Sequence, residues 1–433
     1  MARSFFHRVS AFLLVILLLA ALAPASFAED DPSVRDRKGT APADAPWLDE
    51  QFDDDGSAYE NPPSDVRRVR IGLRYGSSAV EAAEFFNPEG EGFRIGVYDD
   101  NRVFHQRIFT EHDYLIVYWA EYEPYGLMVH GGEDEELLYL SREEDSLAIE
   151  PISGHTVFCD ESYFGGFECR KLPDYLFSVI NCVDLETYVK GVVPYEMAPD
   201  WPSEALKAQA VCARTYVVYN QNAYAEQFFD ITDDAESQVY RGTSLANERT
   251  DAAVDATAGQ LIRYRGEVCE IYYFAADGGA TEDGTWIFDA DRPYLIGKRD
   301  PFEAIEDYAF RRWTRRFEPE ELSARLSRKG YEIDSIRSVI PEYSPLGNVV
   351  ALTLRSETGK QLRLTGRDCC GPFRLPSQRF SVSKDRQGRF VFLGHGLGHN
   401  CGLSQWGARA MDEVYGYDYR QIIAFYFTGA YIA

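Results

Sequence analysis

The sequence predicts a mixed α+β fold, in which a β-rich region is followed by a helix–loop–helix that carries a lone glutamate. Short alternating runs such as VRRVRIGLRY, FRIGVYD and YLIVYWAEY predict strands over residues 65–170. Helical patterns follow at 184–193 and 200–222, and strand patterns return over residues 238–300. Separate stretches of strands and helices of this kind are typical of the α+β class.

The first 28 residues have the layout of a secretory signal peptide. Arg3 and Arg8 precede an unbroken apolar run at 11–23, and small residues precede the expected cleavage after Ala28. An uncleaved N-terminal anchor is the alternative, although the run is short for a membrane span and Pro24 interrupts its extension. In both cases the bulk of the chain is expected outside the cytoplasm, either secreted or wall-associated, or anchored to the membrane.

The charge of the chain argues against two classes of partner. The whole chain has 44 Lys and Arg against 70 Asp and Glu, and removal of residues 1–28 leaves 42 against 70, a net charge of −28. A surface of this kind repels nucleic acid and anionic lipid, so neither is expected as a partner. Residues 29–64 are rich in Asp, Pro, Ala and Ser, which predicts a disordered acidic linker.

Two helices are expected around a short connection. Asp184 is expected to cap the helix LETYVKGVV, and Pro194 is expected to end it. The second helix should begin near residues 200–202 and continue to about Asn222. Its buried stripe is expected to consist of Leu206, Ala210, Ala213 and Val217.

Glu196 is the candidate catalytic residue, because it is a single carboxylate in an apolar setting within this connection. Its neighbours would remove water from the carboxylate and raise its pKa, as a general acid requires at neutral pH. These neighbours are Val192, Val193, Pro194, Tyr195 and Met197. The residues alone leave a structural alternative, in which Glu196 caps the next helix or pairs with Lys190 or Lys207.

The eight cysteines include no C-x-x-C pair with zinc spacing. Cys159 and Cys169 bracket a loop that resembles a hairpin, and we expect them to form a disulfide in an exported protein. Cys212 lies among Ala and Val in the second helix and is expected to be a buried, inert thiol.

The segment VDLETYVKGVVPYEMAPDWPSEALKAQAVCARTYVV resembles the signature of the stage II sporulation protein D family, whose other branch is the amidase enhancer. The resemblance continues in SQVYRGTS, RPYLIGKRDP and GLGHNCGLSQWGARAM, and it spans roughly residues 66–433. It implies a family domain over 171–433, with a core motif at 176–300, after a β-rich N-terminal region at 65–170. Members of the sporulation branch are lytic transglycosylases. They cut peptidoglycan strands between N-acetylmuramic acid and N-acetylglucosamine, and they prefer strands stripped of stem peptides.

The resemblance also implies roles for individual residues. Glu196 matches the catalytic glutamate of the V-P-x-E-M motif. A lytic transglycosylase needs only this one acid, because the C6 hydroxyl of the sugar, and not water, attacks C1. The candidate substrate-binding residues are Tyr195, Lys207, Arg214, Gln238, Tyr240, His399, Ser404 and Gln405. For Lys207, Arg214, Gln238 and Tyr240, a structural role in an ion pair or at a strand end is the alternative.

The chain departs from the family pattern in three segments. Asn400 and Cys401 interrupt the usual G-H-G-x-G-M-S-Q order, and FAAD at 274–277 replaces a His-Ser-x-Ser pattern. Some clostridial relatives bind zinc before Q-V-Y-x-G, but FFDITDDAES offers only carboxylates there, which do not make the site that zinc prefers. No metal or cofactor is therefore expected, and solvated acids are favoured over a calcium site. The acids of this segment are Asp230, Asp233, Asp234 and Glu236.

Two functions remain open from the sequence. The first is a lytic transglycosylase, with peptidoglycan glycan strands as its partner. The second is a non-catalytic wall-binding protein that assists a cell-wall amidase. Retention of Glu196 in its apolar frame favours the first, whereas the altered groove residues keep the second open.

The N-terminus provides a first prediction. Mass spectrometry of the exported protein should find a mature chain that starts at Glu29, since small residues precede the cleavage point. A membrane-bound chain that retains Met1 would instead support the anchor.

Overall fold

The computed structural model describes residues 68–433, with the exception of 121–125, 133–135, 142–144, 235–236 and 304–307. The signal peptide expected at 1–28 and the linker expected at 29–64 lie outside the described residues. Within the described part of the chain, no helix is long and apolar enough to cross a membrane.

The first half of the described chain is mostly strands. In order, they are β1 (Arg68–Arg74), β2 (Ala82–Phe86), β3 (Phe93–Tyr98), β4 (Phe104–Thr110), β5 (Tyr114–Ala120), β6 (Gly126–Gly131), β7 (Glu136–Ser141), β8 (Ser146–Pro151), β9 (Thr156–Phe158), β10 (Glu161–Tyr163), β11 (Gly166–Lys171) and β12 (Phe177–Asp184). The mixed α+β class predicted from the sequence is confirmed by these strands together with the helices that follow.

The second half alternates between helices and short strands. In order, they are α1 (Leu185–Glu196), α2 (Ser203–Tyr219), β13 (Ile231–Thr232), α3 (Glu248–Ala256), β14 (Ile262–Tyr264), β15 (Glu267–Val268), β16 (Tyr273–Phe274), α4 (Gly284–Phe288), β17 (Trp313–Phe317), α5 (Pro319–Ser327), β18 (Ile336–Tyr343), β19 (Val349–Ser356), β20 (Gln361–Thr365), β21 (Arg379–Lys384), β22 (Phe390–His395), β23 (Leu403–Ser404), α6 (Gln405–Glu413), α7 (Tyr419–Tyr426) and β24 (Tyr431–Ile432).

A seven-stranded sheet links the N-terminal strands to the rest of the chain. Its strand order is β13-β1-β12-β11-β8-β3-β4, and a six-stranded sheet has the order β10-β9-β2-β5-β6-β7. In β1, Val69, Ile71 and Leu73 alternate with more exposed residues and are buried in the core, as expected for a strand with one face on the core. Because β12 and β13 join the first sheet, the boundary predicted at residue 170 does not coincide with a sheet edge.

Helix α1 begins as predicted but ends later than predicted. Asp184 Oδ1 accepts hydrogen bonds from the amides of Glu186 and Thr187 at 2.9 and 3.3 Å, which confirms the predicted cap. Pro194 does not end the helix, which continues to Glu196. A proline removes one helical hydrogen bond, but its fixed φ is compatible with helix, and here it lies in the final turn. The helix ends at Met197, whose backbone is extended.

Helix α2 is the centre of the helical layer and packs against α1, α3, α6 and α7. Its predicted stripe of Leu206, Ala210, Ala213 and Val217 is buried throughout, which confirms the predicted core-facing side of the helix. The helix is shorter at both ends than predicted, and it is separated from α1 by the connection 197–202. Glu196 therefore stands where one helix ends, and not within a loop.

Residues 313–392 contribute a second apolar core. It is formed around the sheets β17-β22-β21 and β18-β19-β20, and its fully buried members include Leu322, Leu352 and Phe392. This core is distinct from the one that packs around α1 and α2.

The cysteine predictions have mixed outcomes. Cys212 is buried in α2, as predicted. Cys159 and Cys169 do not form the predicted disulfide. Cys169 points into the core from β11, whereas Cys159 lies in an exposed turn with a φ of 51°, so the two thiols occupy opposite environments.

Candidate active site

Glu196 is the last residue of α1, and its side chain is partly buried. The adjacent Val192, Val193, Pro194 and Met197 lie in the core, so the predicted apolar setting is present. The helix positions the carboxylate rigidly, because α1 is anchored by its cap at one end and by this apolar cluster at the other.

The structural alternative for Glu196 does not fit the observed contacts. Lys190 pairs with Asp255 at 2.7 Å, and Lys207 pairs with Glu204 at 2.6 Å. The residue before α2 is Pro202, which makes no side-chain cap. Among the residues that the structure describes, Glu196 has no ion-pair partner and caps no helix.

Neutral donors surround the Glu196 carboxylate instead. Tyr273 donates its hydroxyl hydrogen to Oε1 at 3.4 Å, and Gln405 Nε2 donates to Oε2 at 3.3 Å. The backbone amide of Val239 also donates to this carboxylate. These contacts come from β16, from the start of α6 and from the segment after β13, so three distant segments meet at one side chain.

A buried hydrogen-bond network orients the two side-chain donors. Gln238 Nε2 donates to the Tyr273 hydroxyl oxygen at 2.8 Å, which leaves the Tyr273 hydrogen free to face Glu196. Tyr188 in α1 donates to Gln238 Oε1 at 3.1 Å. Gln405 Nε2 also donates to Gln209 Oε1 in α2 at 3.3 Å. Networks of this kind fix the geometry of a site when their members are satisfied.

Burial raises the pKa of Glu196 to about 7, because the charged form loses its hydration. The hydrogen bonds from Gln405, Tyr273 and the Val239 amide lower the pKa, but they do not offset the desolvation. The carboxyl can therefore hold a proton at neutral pH and can also lose it. That is the condition under which one group can both give and accept a proton.

Two tryptophans are close along the chain to Glu196 and to its donor Gln405. Trp201 lies in the connection after α1, and Trp406 follows Gln405, with ring centroids 5.0 Å apart. Tyr308 stacks on Trp406 at 5.2 Å. The guanidinium of Arg409 lies 5.5 Å from the Trp201 ring and 5.0 Å from the Trp406 ring. Both indoles remain partly exposed, so this aromatic group offers flat surfaces to solvent.

Three of the predicted binding residues form hydrogen bonds or ion pairs within the protein. Arg214 has no exposed surface, and its guanidinium donates to both carboxylate oxygens of Glu186 at 2.8 and 2.6 Å. Tyr240 is buried and donates to Asn181 at 2.9 Å. Lys207 is engaged by Glu204, as described above. Arg214 and Tyr240 are thus closed to a polymer and join core elements instead, because buried polar groups require internal partners.

His399 and Ser404 support the groups that contact Glu196. His399 Nε2 lies 3.0 Å from the Tyr273 carbonyl oxygen, and burial lowers the pKa of His399 to about 3, so the imidazole is neutral. Ser404 Oγ accepts from the amide of Gly407 at 3.2 Å and so caps α6, whose first residue is Gln405. Of the predicted residues, Gln405 touches Glu196, Gln238 is one contact away, and Tyr195 is adjacent along the chain and half-buried.

The acidic segment before Gln238 is not solvated as predicted. Asp230 is buried and pairs with Arg102 at 2.6 Å, and Asp233 pairs with Arg241 at 2.6 Å. Asp234 accepts from Thr232 at 2.9 Å, and Glu236 lies outside the described residues. These acids are tied to cationic or hydroxyl side chains because the segment folds back against β1, which periodicity alone does not reveal.

Sequence reasoning missed Tyr273, Gln209 and the two tryptophans. Gln209 had a readable signal, since it is the one amide among Ala, Val and Leu in the middle of α2. Tyr273 has no such signal in the sequence, because it lies in the apolar run IYYF and reaches Glu196 only through the fold.

The part of the chain that contains Glu196 is similar to a known protein family. The family described as stage II sporulation protein matches residues 175–264, which include α1, α2 and Gln238. An uncharacterized protein of Brachyspira hyodysenteriae is 35% identical over 290 residues, which cover 66% of this chain and 76% of that protein.

Two named proteins of Bacillus subtilis are also similar. Its stage II sporulation protein D is 28% identical over 271 residues, which cover 59% of this chain and 76% of that protein. Its amidase enhancer is 29% identical over 287 residues, which cover 56% of this chain. The match spans 39% of the amidase enhancer, well under half of its length.

The raised pKa of Glu196 predicts a specific pH dependence of stability. Between about pH 4.5 and pH 7, the unfolded chain loses the Glu196 proton more readily than the folded chain does. The free energy of unfolding of wild type therefore falls as pH rises through this range. Glu196→Gln cannot ionise, so it should be more stable than wild type at pH 8, by on the order of 1–2 kcal/mol after allowance for partial exposure. The two should converge near pH 4. Urea unfolding at several pH values measures this difference.

Glu204→Gln is the matched control, because the Lys207 ion pair and the Tyr419 amide lower the pKa of Glu204. Its stabilising effect is lost as pH falls, so this variant should be less stable than wild type at pH 8. A Glu196→Gln difference that is constant between pH 4 and pH 8 would contradict the raised pKa.

Proposed function

The chain belongs to the stage II sporulation protein D and amidase enhancer family, and from this premise we propose that it is a peptidoglycan lytic transglycosylase. It would cleave the linkage between N-acetylmuramic acid and N-acetylglucosamine, with peptide-stripped strands as the substrate. The products would carry 1,6-anhydro-muramoyl ends. The observation that supports this proposal most is a single carboxylate, Glu196, whose burial brings its pKa to about 7.

The surroundings of Glu196 suit a mechanism with one acid. Burial and hydrogen-bond donors account for its shifted pKa, and within the described residues no neighbouring carboxylate contributes to it. Hydrolytic glycosidases usually use two carboxyl groups, one to protonate the leaving oxygen and one to activate water or attack C1. One carboxyl group is enough when the sugar's own hydroxyl is the nucleophile.

Proton transfer can then proceed through Glu196 in both directions. The protonated carboxyl donates to the glycosidic oxygen as the C1–O bond breaks. The resulting carboxylate accepts the proton of the C6 hydroxyl, whose oxygen forms the new bond to C1. Glu196 ends protonated, no water is consumed, and the enzyme is ready for the next linkage.

Tyr273 and Gln405 would position the carboxylate during this cycle. Each donates to a different oxygen of Glu196, so together they set the plane of the carboxyl group. Both contacts are long, at 3.4 and 3.3 Å, and donors of this kind strengthen when the carboxylate becomes ionised. They would therefore stabilise the charged intermediate state more than the protonated resting state.

The aromatic group beside the acid suits a glycan chain. Trp201 and Trp406 present apolar ring faces, on which the C–H surfaces of pyranose rings can pack. Arg409 lies against both rings and is paired with Glu413 at 2.9 Å, and it would exchange this partner for the lactyl carboxylate that a peptide-stripped strand exposes. This substrate also requires a location outside the cytoplasm, in agreement with the signal peptide expected at residues 1–28.

The second candidate is a non-catalytic wall-binding protein that assists a cell-wall amidase. The 29% identity to a protein named amidase enhancer supports it. In that case the aromatic group of Trp201 and Trp406 would bind glycan without cleavage, and an amidase would be the partner.

The decisive substitution is Glu196→Gln, which keeps the shape of the side chain but cannot cycle a proton. Purified protein would be incubated with amidase-stripped glycan strands, and mass spectrometry would detect 1,6-anhydro-muramoyl ends. Wild type should produce them. Glu196→Gln should bind the strands but lose activity by at least the ~10²–10⁴-fold typical of a general acid/base.

Glu204→Gln is the matched control and should retain activity, because Glu204 is held in an ion pair in the first turn of α2. Wild type that binds strands without producing anhydro ends would favour the amidase enhancer. Ordinary reducing ends would show that water is activated, and would refute the single-acid mechanism.

A further inference from the structure

Three buried carboxylates converge at a second place in the fold. Asp277, Asp300 and Glu303 are each exposed by 3% or less. One oxygen of each lies within 4.8 Å of an oxygen of both others. They come from the loop after β16 and from the segment that follows α4, and no sequence motif had grouped them.

Two of the three carboxylates are well supplied with hydrogen-bond donors. Glu303 accepts from the Ser404 hydroxyl at 2.9 Å, from the amide of Gly278 at 2.8 Å and from the hydroxyl of Tyr308. Asp300 accepts from the Tyr426 hydroxyl at 2.6 Å, and from the amides of Phe302 and Glu303 at 2.8 and 3.2 Å. These donors satisfy the carboxylate oxygens that they reach.

The third carboxylate has an oxygen without a partner. Asp277 Oδ1 accepts from the amide of Gly279 at 2.6 Å. Among the residues that the structure describes, no donor reaches the buried Asp277 Oδ2, and the Asp277 and Glu303 carboxyl groups face each other at hydrogen-bonding range. A buried polar atom in this position calls for an additional group, because a buried acceptor without a partner is strongly unfavourable.

The cluster also lacks a compensating charge. Across the described residues, no Lys, Arg or His forms an ion pair with Asp277, Asp300 or Glu303. Buried charges without a counter-charge are strongly unfavourable. One shared proton would join only the facing oxygens of Asp277 and Glu303, whereas a cation can bind one oxygen of all three carboxylates. The geometry therefore favours a cation over a proton.

We propose that Asp277, Asp300 and Glu303 bind a divalent cation that prefers hard oxygen ligands, with Ca²⁺ as its representative. Ca²⁺ binds carboxylate oxygens at about 2.3–2.6 Å, so two ligands of one ion are separated by up to about 5 Å, a range that accommodates the observed spacing. Asp277 Oδ2 supplies the ligand atom that has no other partner. No metal is expected from the sequence, which groups only the acids of the segment FFDITDDAES. Asp277 and Glu303 lie 26 residues apart and share no motif.

The cation would link the segments that contact Glu196. Strand β16, which carries Tyr273, pairs in parallel with β23, and Asp277 follows four residues after Tyr273. Ser404 donates to Glu303 and caps α6, whose first residue is Gln405. Binding at the cluster would thus hold both side-chain donors of Glu196 in place without touching the acid. The proposal does not depend on the reaction that Glu196 performs.

The test measures metal binding directly. The full exported chain would be stripped with EDTA and exchanged into metal-free buffer, then titrated with Ca²⁺, with Mg²⁺ and with Zn²⁺ alone. Calorimetry and elemental analysis should find one Ca²⁺ per chain. Thermal unfolding should shift upward by roughly 3–5 °C at a concentration about 100 times Kd. A weaker shift with Mg²⁺ also supports a hard-cation site.

Asp277→Asn is the informative variant, because it keeps the acceptor for Gly279 but removes the charge. It should weaken Ca²⁺ binding by at least the roughly 10–100-fold seen when metal-site groups are altered. Its metal-free form should be more stable than metal-free wild type, since the new amide can donate to Glu303. Asp289→Asn is the matched control, at an exposed position in the same region, and should bind Ca²⁺ as wild type does.

Three results would overturn the proposal. They are the absence of Ca²⁺ and Mg²⁺ binding to folded wild type, stoichiometric binding of Zn²⁺ alone, and Ca²⁺ binding that Asp277→Asn leaves unchanged. In the first case, a rise in stability as pH falls from 8 to 5 that persists in Glu196→Gln and disappears in Asp277→Asn would assign a shared proton to the cluster.

Discussion

The desolvation of one carboxylate, without a cation to neutralise it, is the constraint on which the functional region depends. Glu196 ends a helix inside an apolar cluster, while the lysines that could pair with it, Lys190 and Lys207, are held by Asp255 and Glu204. A cation within ion-pairing distance would lower its pKa and keep the group ionised. Because the donors that reach it from the described residues are all neutral, the carboxyl can hold a proton at neutral pH.

Keeping a carboxylate in this state requires precise placement of its neighbours. Tyr273 and Gln405 are 132 residues apart along the chain, and the parallel pairing of β16 with β23 brings their segments together. His399, Ser404 and the carboxylate cluster then brace these same segments. These C-terminal segments together hold Tyr273 and Gln405 against the Glu196 carboxylate.

Sequence patterns predicted those features that depend on local periodicity. The cap at Asp184, the buried stripe of α2 and the apolar setting of Glu196 all follow from residues within one or two helical turns. The end of α1 was predicted wrongly, because a proline in a last turn loses only one hydrogen bond and tertiary packing compensates for it. The buried environment of Arg214 also escaped prediction, since its partner Glu186 lies on another helix.

Features that depend on long-range pairing could not be predicted. Tyr273 has no polar pattern around it, and Asp277, Asp300 and Glu303 look like surface acids in a chain with 70 acidic residues. Only the fold shows that they are buried and mutually close. The same reason explains why the acids at 230–234 were expected in solvent but are paired with Arg102 and Arg241.

The central claim, that Glu196 is a proton-cycling carboxyl, is tested most directly by its own titration. Protein labelled with ¹³C at glutamate carboxyl carbons would be titrated by NMR, and the Glu196 signal assigned by its absence in Glu196→Gln. We expect the Glu196 carboxyl to titrate with a midpoint near pH 7, well above the ordinary value for a glutamate. A midpoint at the ordinary value of about 4.5 would show that water or an unseen partner stabilises the charged form, and would contradict the account.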